Sequence, residues 1–392
     1  MQGTANRNVL LISFCQFCAV TSFSFMYIFL PFYVMESSPY SQRETLLWTG
    51  AIMASTGFIL ALAAPWAGSL AHRFRPRWLY LVGLVFNAVM CAAMGLTTNL
   101  LLLLILRTAQ GFAGGLSTIG LIITAVSSSD ENRTYHIGIF QSGMALGQLL
   151  GPFLGSFAVV VFGYRGAFFS TAITLFLSFL FCYFGVTDVP ILPKSQGSSV
   201  RSMLETRVLA GWCLIVATTT QLMFLPAILP GILEKYGLLA QSAVHSAGTM
   251  VMLYTATALV GTFTWSWLSK KTGTRRMILL LVPPAIVLQV FLCFQSRILP
   301  FTILFMLVTG LVAAIVPLTI SIFASQMKGS VIGFLNSARL VGGATGPLLA
   351  TSVLAFSNLT VLYLVVSGIT LTCLLFFEHA FRTAKVASLT KN

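Results

Sequence analysis

The sequence predicts an all-α membrane protein with twelve transmembrane helices in two pseudo-symmetric six-helix bundles. Three observations predict this fold. Of the 392 residues, 57% are hydrophobic and only 8% are charged, whereas soluble domains carry about 25% charged residues. The hydrophobic residues form runs that reach the roughly 20 residues needed for one membrane crossing. Motifs of the first half also return in the second half at a nearly constant displacement.

Twelve apolar segments follow one another along the chain. The first is too long for a signal-peptide core and lacks a small-residue cleavage site, so we interpret it as a retained helix. The longest polar stretch, 188–206, is rich in Pro, Ser and Gly and separates six segments from six. We therefore predict an N-terminal bundle at 1–187, a cytoplasmic linker at 188–206 and a C-terminal bundle at 207–392. The predicted crossings are 9–34, 45–70, 78–97, 99–126, 135–162, 165–187, 207–233, 243–268, 277–296, 298–325, 331–355 and 359–381.

The net charge of +14 is distributed as in a membrane protein rather than on a nucleic-acid-binding face. Of the 22 Lys and Arg residues, sixteen lie on the side of the N-terminus, four lie on the opposite side and two lie inside predicted helices. Because cytoplasmic loops are enriched in Lys and Arg, both termini are predicted to be cytoplasmic. We expect the lipid bilayer, and no nucleic acid, as a partner.

The two halves repeat each other. The stretch Ile-Gly-Ile-Phe-Gln-Ser from Ile137 returns as Ile-Gly-Phe-Leu-Asn-Ser from Ile332, displaced by 195 residues. The basic loop 72–77 has a counterpart at 270–275, displaced by 198. Two bundles from one duplicated plan, related by an axis along the membrane normal, are the simplest explanation.

Small residues recur every four positions in the fifth and eleventh segments. The fifth contains Gly143, Gly147, Gly151 and Gly155 with Pro152 among them, and the eleventh contains Ala338, Gly342, Gly346 and Ala350 with Pro347. Such a stripe allows close helix approach, which is a main source of packing energy in lipid. We predict that each stripe packs against a helix of the opposite half and takes part in conformational gating. The alternative is the tight packing found in any polytopic protein.

Several motifs resemble the major facilitator superfamily and, within it, the twelve-helix drug:proton antiporter branch. The stretch from Gly147 to Gly155, with Gly151-Pro152, resembles the antiporter motif of that branch, although its final Gly-Gly is here Gly155-Ser156. The loop from Gly68 to Arg77 resembles the inside-loop signature, and Leu106-Arg107-Thr-Ala-Gln110-Gly111 resembles an Arg-containing motif of the fourth helix. The resemblance implies gating roles for Gly68, His72, Arg73 and Arg77. The loop departs from the family pattern at His72, which replaces an Asp.

Two basic residues lie deep in predicted helices. An ionisable group inside a membrane costs several kcal/mol and is a functional candidate by default. Arg107 either has a structural role or belongs to the cavity or proton pathway, and the same two readings stand for Arg339. A guanidinium stays charged, so neither residue can carry a proton. None of the eight acidic residues lies deep in a predicted helix. Glu44 and Glu234 are the least poor candidates for a proton carrier, and the alternative is that they are solvated residues at helix ends.

Neutral polar residues add further candidates for a central cavity. The predicted substrate and proton pathway contains Arg107, Gln110, Arg339, Gln141, Asn336, Gln16 and Gln221, and Gln148 and Gln289 are further polar residues that could line the cavity. A Gln inside the membrane is satisfied by a helix contact as well as by a ligand. A contact between helices and a contact with a ligand therefore both remain possible roles for these amides.

The resemblance implies a secondary active transporter in a bacterial inner membrane, exporting small amphipathic compounds by alternating access and coupled to protons. Because Arg107 and Arg339 lack acidic partners in the sequence pattern, an exporter of an anionic metabolite such as a siderophore or organic acid is the first alternative. A lipid translocase or a non-transporting membrane sensor is the second. We expect no enzymatic activity, no cofactor, no metal site and a monomer, since no catalytic motif appears and the seven cysteines all lie in apolar segments.

Overall fold

The structure, a computed structural model, describes residues 2–70, 73–129, 131–190, 205–238, 240–324 and 329–389. The described residues are almost entirely helical, so the predicted all-α membrane fold is confirmed. The crossings are α1 (Gln2–Ser37), α2 (Gln42–Leu70), α3 (Pro76–Gly95), α4 (Leu100–Ser127), α5 (133–162), α6 (164–185), α7 (Thr206–Lys235), α8 (Ala240–Thr272), α9 (Thr274–Phe291), α10 (Ile298–Phe323), α11 (Gly329–Phe356) and α12 (Leu359–Leu389).

The helices α5 and α6 form one continuous stretch, Arg133–Gly185, of 53 residues. At 1.5 Å per residue this stretch is about 80 Å long, whereas a bilayer core is about 30 Å thick. It must therefore contain two crossings. Gly163 has φ 68° and ψ 175°, a conformation that residues with a Cβ rarely adopt, and it provides the reversal between them. The eleven apolar helices of the described residues thus contain twelve crossings.

The chain folds into two compact units. The first contains Met1–Tyr40, Ala51–Ser195 and Leu229–Met252, and the second contains Ser41–Gly50, Gln196–Ile228 and Leu253–Asn392. Each unit therefore consists mainly of one half of the sequence and includes a short segment from the other half. The predicted boundaries at 187 and 207 stay a prediction, and these exchanged segments, 41–50 and 229–252, were not foreseen.

The glycine stripe of α5 packs against α1, in the same half of the sequence. A Cβ added at Gly147 would lie 2.8 Å from the carbonyl oxygen of Phe17, and one at Gly155 would lie 2.6 Å from that of Phe25. In the second unit, a Cβ at Gly342 would lie 2.7 Å from the carbonyl oxygen of Val216 in α7. The prediction that the stripes face the opposite half is therefore wrong. A four-residue period shows that a helix has a small face, but it does not show which neighbour occupies that face.

The other glycines of both stripes also approach a helix of the same half of the sequence. Gly143 approaches Ser13, Gly151 approaches Thr21 and Ser24, and Gly346 approaches Met223 and Phe224. Because backbone meets backbone along these lines, the stripes make α1 with α5, and α7 with α11, closely packed pairs.

We expect that Gly147→Leu will destabilise the protein, because the new side chain would collide with the backbone of α1. Overpacking of this kind costs about 1–3 kcal/mol or more. Gly138→Leu in the same helix is the matched control, since no described atom lies within 4 Å of a Cβ added there. Thermal unfolding of the purified protein in detergent should show a lower midpoint for Gly147→Leu alone. Equal midpoints for the two variants would contradict the packing described here.

Candidate functional site

Arg107 lies at the centre of a buried polar cluster in the first unit. Its side chain is 5% exposed, and its Nη1 atom donates to Gln110 Oε1 at 2.8 Å and contacts Met26 Sδ at 3.9 Å. Gln110 Nε2 in turn donates to Cys91 Sγ at 3.4 Å. Residues 107 and 110 lie one turn apart in α4, and therefore on the same face, which explains why this pair meets. The predicted pathway residues Arg107 and Gln110 are thus brought together, with α1 and α3 as their neighbours.

The charge of Arg107 has no carboxylate partner among the described residues. The ion pairs in that part of the chain are Arg75–Asp188, Arg207–Glu205, Arg275–Glu378 and Arg382–Glu378. The Nε atom of Arg107 is also buried without a hydrogen-bond partner there. A buried cation held only by neutral groups retains most of its desolvation cost. This site therefore favours an anion or an electron-rich group.

Two other predicted pathway residues lie inside the packed interior. Gln16 Nε2 donates to Ser117 Oγ at 2.7 Å, and its Oε1 accepts from the hydroxyl of Tyr80 at 3.1 Å. Both ends of this amide are thus used by α3 and α4. Gln221 Oε1 accepts from Thr370 at 3.4 Å, while its Nε2 is buried without a partner among the described residues.

The remaining pathway candidates lie on open faces of α5 and α11. Gln141 and Gln148 are exposed on α5, and Asn336 and Arg339 are exposed on α11. At Gly343 an added Cβ would meet no described atom within 4 Å. Residues 141 and 336, like residues 148 and 343, are related by the 195-residue displacement. The duplication therefore produces two equivalent open faces, one with two amides and one with an amide and a guanidinium.

A groove of about 620 Å³ runs along the first of these helices. It is lined by Leu10, Ser13, Phe14, Phe17, Tyr135, Gly138, Ile139, Ser142, Gly143 and Leu146 of α1 and α5. The lining is mainly apolar, and Ser13 Oγ is buried without a partner among the described residues. Its size falls within the range of about 300–1,000 Å³ for small-molecule pockets. An amphipathic molecule fits such a surface.

Two further glycines hold the exchanged segments in place. In the first unit, a Cβ added at Gly248 of α8 would overlap Ser156 Oγ and lie 2.7 Å from the carbonyl oxygen of Pro152. In the second unit, a Cβ at Gly50 of α2 would overlap Thr351 Oγ1 in α11 and lie 3.4 Å from the Cα of Leu348. Gly50 and Gly248 are 198 residues apart, and Ser156 and Thr351 are 195 apart. The same contact between two helices thus occurs twice, with a glycine against a hydroxyl. We call each of these two contacts a glycine crossing.

Aromatic contacts accompany each crossing. The rings of Phe153 and His245 lie 5.9 Å apart in the first unit. In the second unit the guanidinium of Arg43 lies 3.9 Å from the centre of the Phe356 ring. Each crossing therefore combines a glycine against a hydroxyl with one contact that involves an aromatic ring.

The inside-loop signature is only partly described. His72 lies outside the described residues, and Gly68 lies in the last turns of α2, where its surroundings are not described. Arg73 is exposed. Arg77 donates to the carbonyl oxygen of Tyr183 at the end of α6 and lies 5.8 Å from the centre of the Tyr183 ring. The gating roles implied for these residues stay predictions.

Sequence reasoning missed Gly50, Gly248 and Thr351, because each is an isolated small residue without a local pattern. The half-chain displacement contained the signal, since Gly50 and Gly248 are equivalent positions in the duplicated plan. Pro152 and Pro347 are both buried near these crossings. These two gating candidates therefore lie next to the exchanged segments, although the glycine stripes do not face those segments.

The described residues form twelve membrane crossings with an internal duplication and a buried cation. These features define a multi-pass membrane protein of the kind built from two six-helix repeats. A family model described as Major Facilitator Superfamily matches residues 12–243 and 211–392. The chain belongs to the Major Facilitator Superfamily, as the motifs in the sequence predicted.

Several related sequences align with nearly the full chain. Multidrug resistance protein MdtG from Dickeya zeae (strain Ech586) is 26% identical over 373 residues, which cover 93% of this chain and 91% of that protein. The protein of the same name from Klebsiella pneumoniae (strain 342) is 26% identical over 366 residues, covering 91% and 89%. A bacterial homolog of the human lysosomal transporter Spinster, solved in an inward-facing and unoccupied conformation, has a similar fold, with a TM-score of 0.79, 12% identity and 98% of each chain covered.

Proposed function

We propose that the protein is a secondary active exporter of small amphipathic compounds that works by alternating access and is driven by protons. It lies in a bacterial inner membrane with both termini in the cytoplasm. The similarity to multidrug resistance proteins over most of the chain supports this proposal. The observation that carries the mechanism is the twofold occurrence of the glycine crossing, at Gly248 and at Gly50.

In this mechanism the stripes and the crossings have different tasks. The stripes keep α1 with α5, and α7 with α11, together throughout the cycle, because separating them would expose long lines of close backbone contact. The crossings at Gly248 and Gly50, where a glycine lies against a hydroxyl, separate when access changes sides. Two discrete arrangements of packed helices, rather than gradual deformation, are typical of such transitions.

Substrate recognition uses the groove of the first unit. The apolar lining of the groove binds the hydrophobic part of the compound, and Gln141, an exposed amide of α5, contacts its polar part. Arg107 keeps the interior of the first unit electropositive. A few polar groups in an apolar pocket are the usual composition of a small-molecule site.

Proton coupling rests on the resemblance to the antiporter branch. Glu44, one of the carriers considered from the sequence, accepts hydrogen bonds from the backbone nitrogen and hydroxyl of Ser41 at 3.1 and 2.8 Å, at the start of α2. This carboxylate stabilises a helix end and is a poor proton carrier. Reconstituted protein in liposomes under an imposed pH gradient, assayed with cationic, neutral and anionic compounds, tests the proposal. We expect gradient-dependent transport of at least one class of compound. Equal movement of every class across protein-containing and protein-free liposomes would overturn the proposal.

Export of an anionic compound is the second candidate function, and the exposed Arg339 favours it. Its guanidinium lies on an open face of a membrane-spanning helix, where an uncompensated charge is costly without a function. Arginine also binds carboxylates through paired hydrogen bonds. The anionic compound would be a siderophore or an organic acid.

We expect Arg339→Ala to reduce the transport of anionic compounds by about tenfold, which is the effect of losing one charge-assisted hydrogen bond of about 1.5 kcal/mol. Transport of neutral compounds should change little. Lys270→Ala is the control, because Lys270 is an exposed cation at the end of α8. Equal initial rates for anions with Arg339→Ala and the parent protein would remove the basis for this candidate.

A further inference from the structure

We propose that a second groove, between α1 and α6, binds an anionic phospholipid of the surrounding bilayer, with one acyl chain in the groove and the headgroup against Arg7. This lipid is distinct from the transported compound. The site lies at one end of the first unit, away from the polar cluster around Arg107.

The groove has a volume of about 550 Å³ and an apolar lining. Its walls are formed by Leu11 of α1 and by Leu177, Leu180, Phe181 and Phe184 of α6. Phe184 is 76% exposed and Phe181 is 51% exposed. Because these helices span the membrane, the exposed rings face the hydrocarbon of the bilayer. An acyl chain is the molecule that such a surface meets.

The polar end of the groove carries a fixed cation. Arg7 Nη2 donates to the carbonyl oxygen of Gly185 at 2.9 Å, and both residues line the groove. The neighbouring Asn8 donates to Thr187 Oγ1 at 2.6 Å and accepts from Thr187 N at 3.0 Å. These bonds tie the start of α1 to the end of α6. A guanidinium has five N–H donors, so the bond to Gly185 leaves others for a phosphate.

The charges around this end match a negative headgroup. Arg77 lies at the last turn of α6 through its bond to Tyr183, and Arg75 is paired with Asp188 at 2.6 Å. Arg7, Arg75, Arg77 and Asp188, the charged residues named at this corner in the described part of the chain, sum to a charge of +2. Trp78 packs near Tyr183, with ring centres 6.4 Å apart. Basic residues between membrane helices, with aromatic residues at headgroup level, are typical of sites for anionic lipids.

The alternatives for this groove are a zwitterionic lipid and no ordered lipid. A phosphatidylcholine would fill the apolar part equally well but would bring a positive group to Arg7 and Arg77. The charge therefore selects an anionic headgroup, and the apolar lining selects a molecule with an acyl chain. The two requirements together define a phospholipid such as phosphatidylglycerol.

Native mass spectrometry of the full-length protein with added phosphatidylglycerol tests this site, with phosphatidylcholine of the same acyl chains as the comparison lipid. We expect tighter binding of the first phosphatidylglycerol. Arg7→Gln should weaken that binding by about fivefold, the effect of one basic residue near an anionic lipid. Leu180→Trp should weaken binding of both lipids by filling the groove. Arg7→Lys should bind like the parent protein, which separates the charge from any structural role.

Arg297→Gln is the matched control, because Arg297 is an exposed arginine at the start of α10. It should leave lipid binding unchanged. Equal binding of the two lipids by the parent protein, or equal binding of phosphatidylglycerol by Arg7→Gln and the parent, would overturn the proposal. Neither outcome bears on transport, so this test and that of the proposed function fail independently.

Discussion

Gly248→Trp is expected to reduce transport by tenfold or more while the protein still folds. The indole would occupy the position of Ser156 and the backbone of Pro152, so α8 could no longer lie against α5 in the arrangement seen here. Overpacking costs about 1–3 kcal/mol, and a bias of that size changes the ratio of two conformations by about 5- to 150-fold. The initial rate of transport in proteoliposomes measures the loss.

The equivalent substitution, Gly50→Trp, should have the same effect, because Gly50 meets Thr351 in the same manner. Gly231→Trp is the matched control, since Gly231 is exposed in α7 and no described atom lies within 4 Å of a Cβ added there. It should transport at the parent rate. Unchanged transport by both Gly248→Trp and Gly50→Trp would show that the crossings do not need to re-form during the cycle.

Arg107→Gln is expected to lower transport by about tenfold or more without lowering stability. The charge of Arg107 is buried with neutral partners, so its removal relieves a desolvation cost. Its loss also removes the positive potential of the first unit, on which the proposed function depends. On the same preparation, the transport rate should therefore fall, while the thermal unfolding midpoint should not.

Gln16→Met provides the opposite case. Gln16 links Ser117 and Tyr80 through hydrogen bonds, and replacing it leaves the buried hydroxyl of Tyr80 without this partner, which costs about 1–3 kcal/mol. We expect a lower unfolding midpoint and a transport rate close to that of the parent protein. If Arg107→Gln transported normally and unfolded at a lower temperature, Arg107 would be a structural residue.

Much of the fold was predictable from the sequence, because membrane helices are defined by length and composition. The reversal at Gly163 also lies between the predicted fifth and sixth segments, although the backbone there stays helical on both sides. The duplication was visible at Ile137 and Ile332, since identical packing requirements preserve similar residues at equivalent positions.

The partners of these helices were not predictable in the same way. The stripe from Gly143 to Gly155 indicates that something packs closely, but α1 and α8 both lie next to α5, and the period alone does not choose between them. Ser156, which departs from the Gly-Gly of the family motif, is the residue that contacts Gly248. The residue that departs from the family motif therefore lies at the contact between α5 and α8, while the glycine stripe lies at the contact between α5 and α1.

The candidate site was predicted in part. Arg107 and Gln110 share a helix face, and the structure brings them together as that spacing requires. Gln16 and Gln141 had equal standing in the sequence, yet one is enclosed between helices and the other is exposed. Which face of a buried helix meets a neighbour depends on the packing of other segments, and this information is not local.

The central claim is that α5 and α8 separate once in each transport cycle. Cysteines introduced by Phe153→Cys and His245→Cys, in a variant without the seven native cysteines, can be joined by a short reducible cross-linker, because the two native rings lie 5.9 Å apart. The mechanism predicts that cross-linking stops transport and that reduction restores it. Transport at the full rate by completely cross-linked protein would contradict the mechanism.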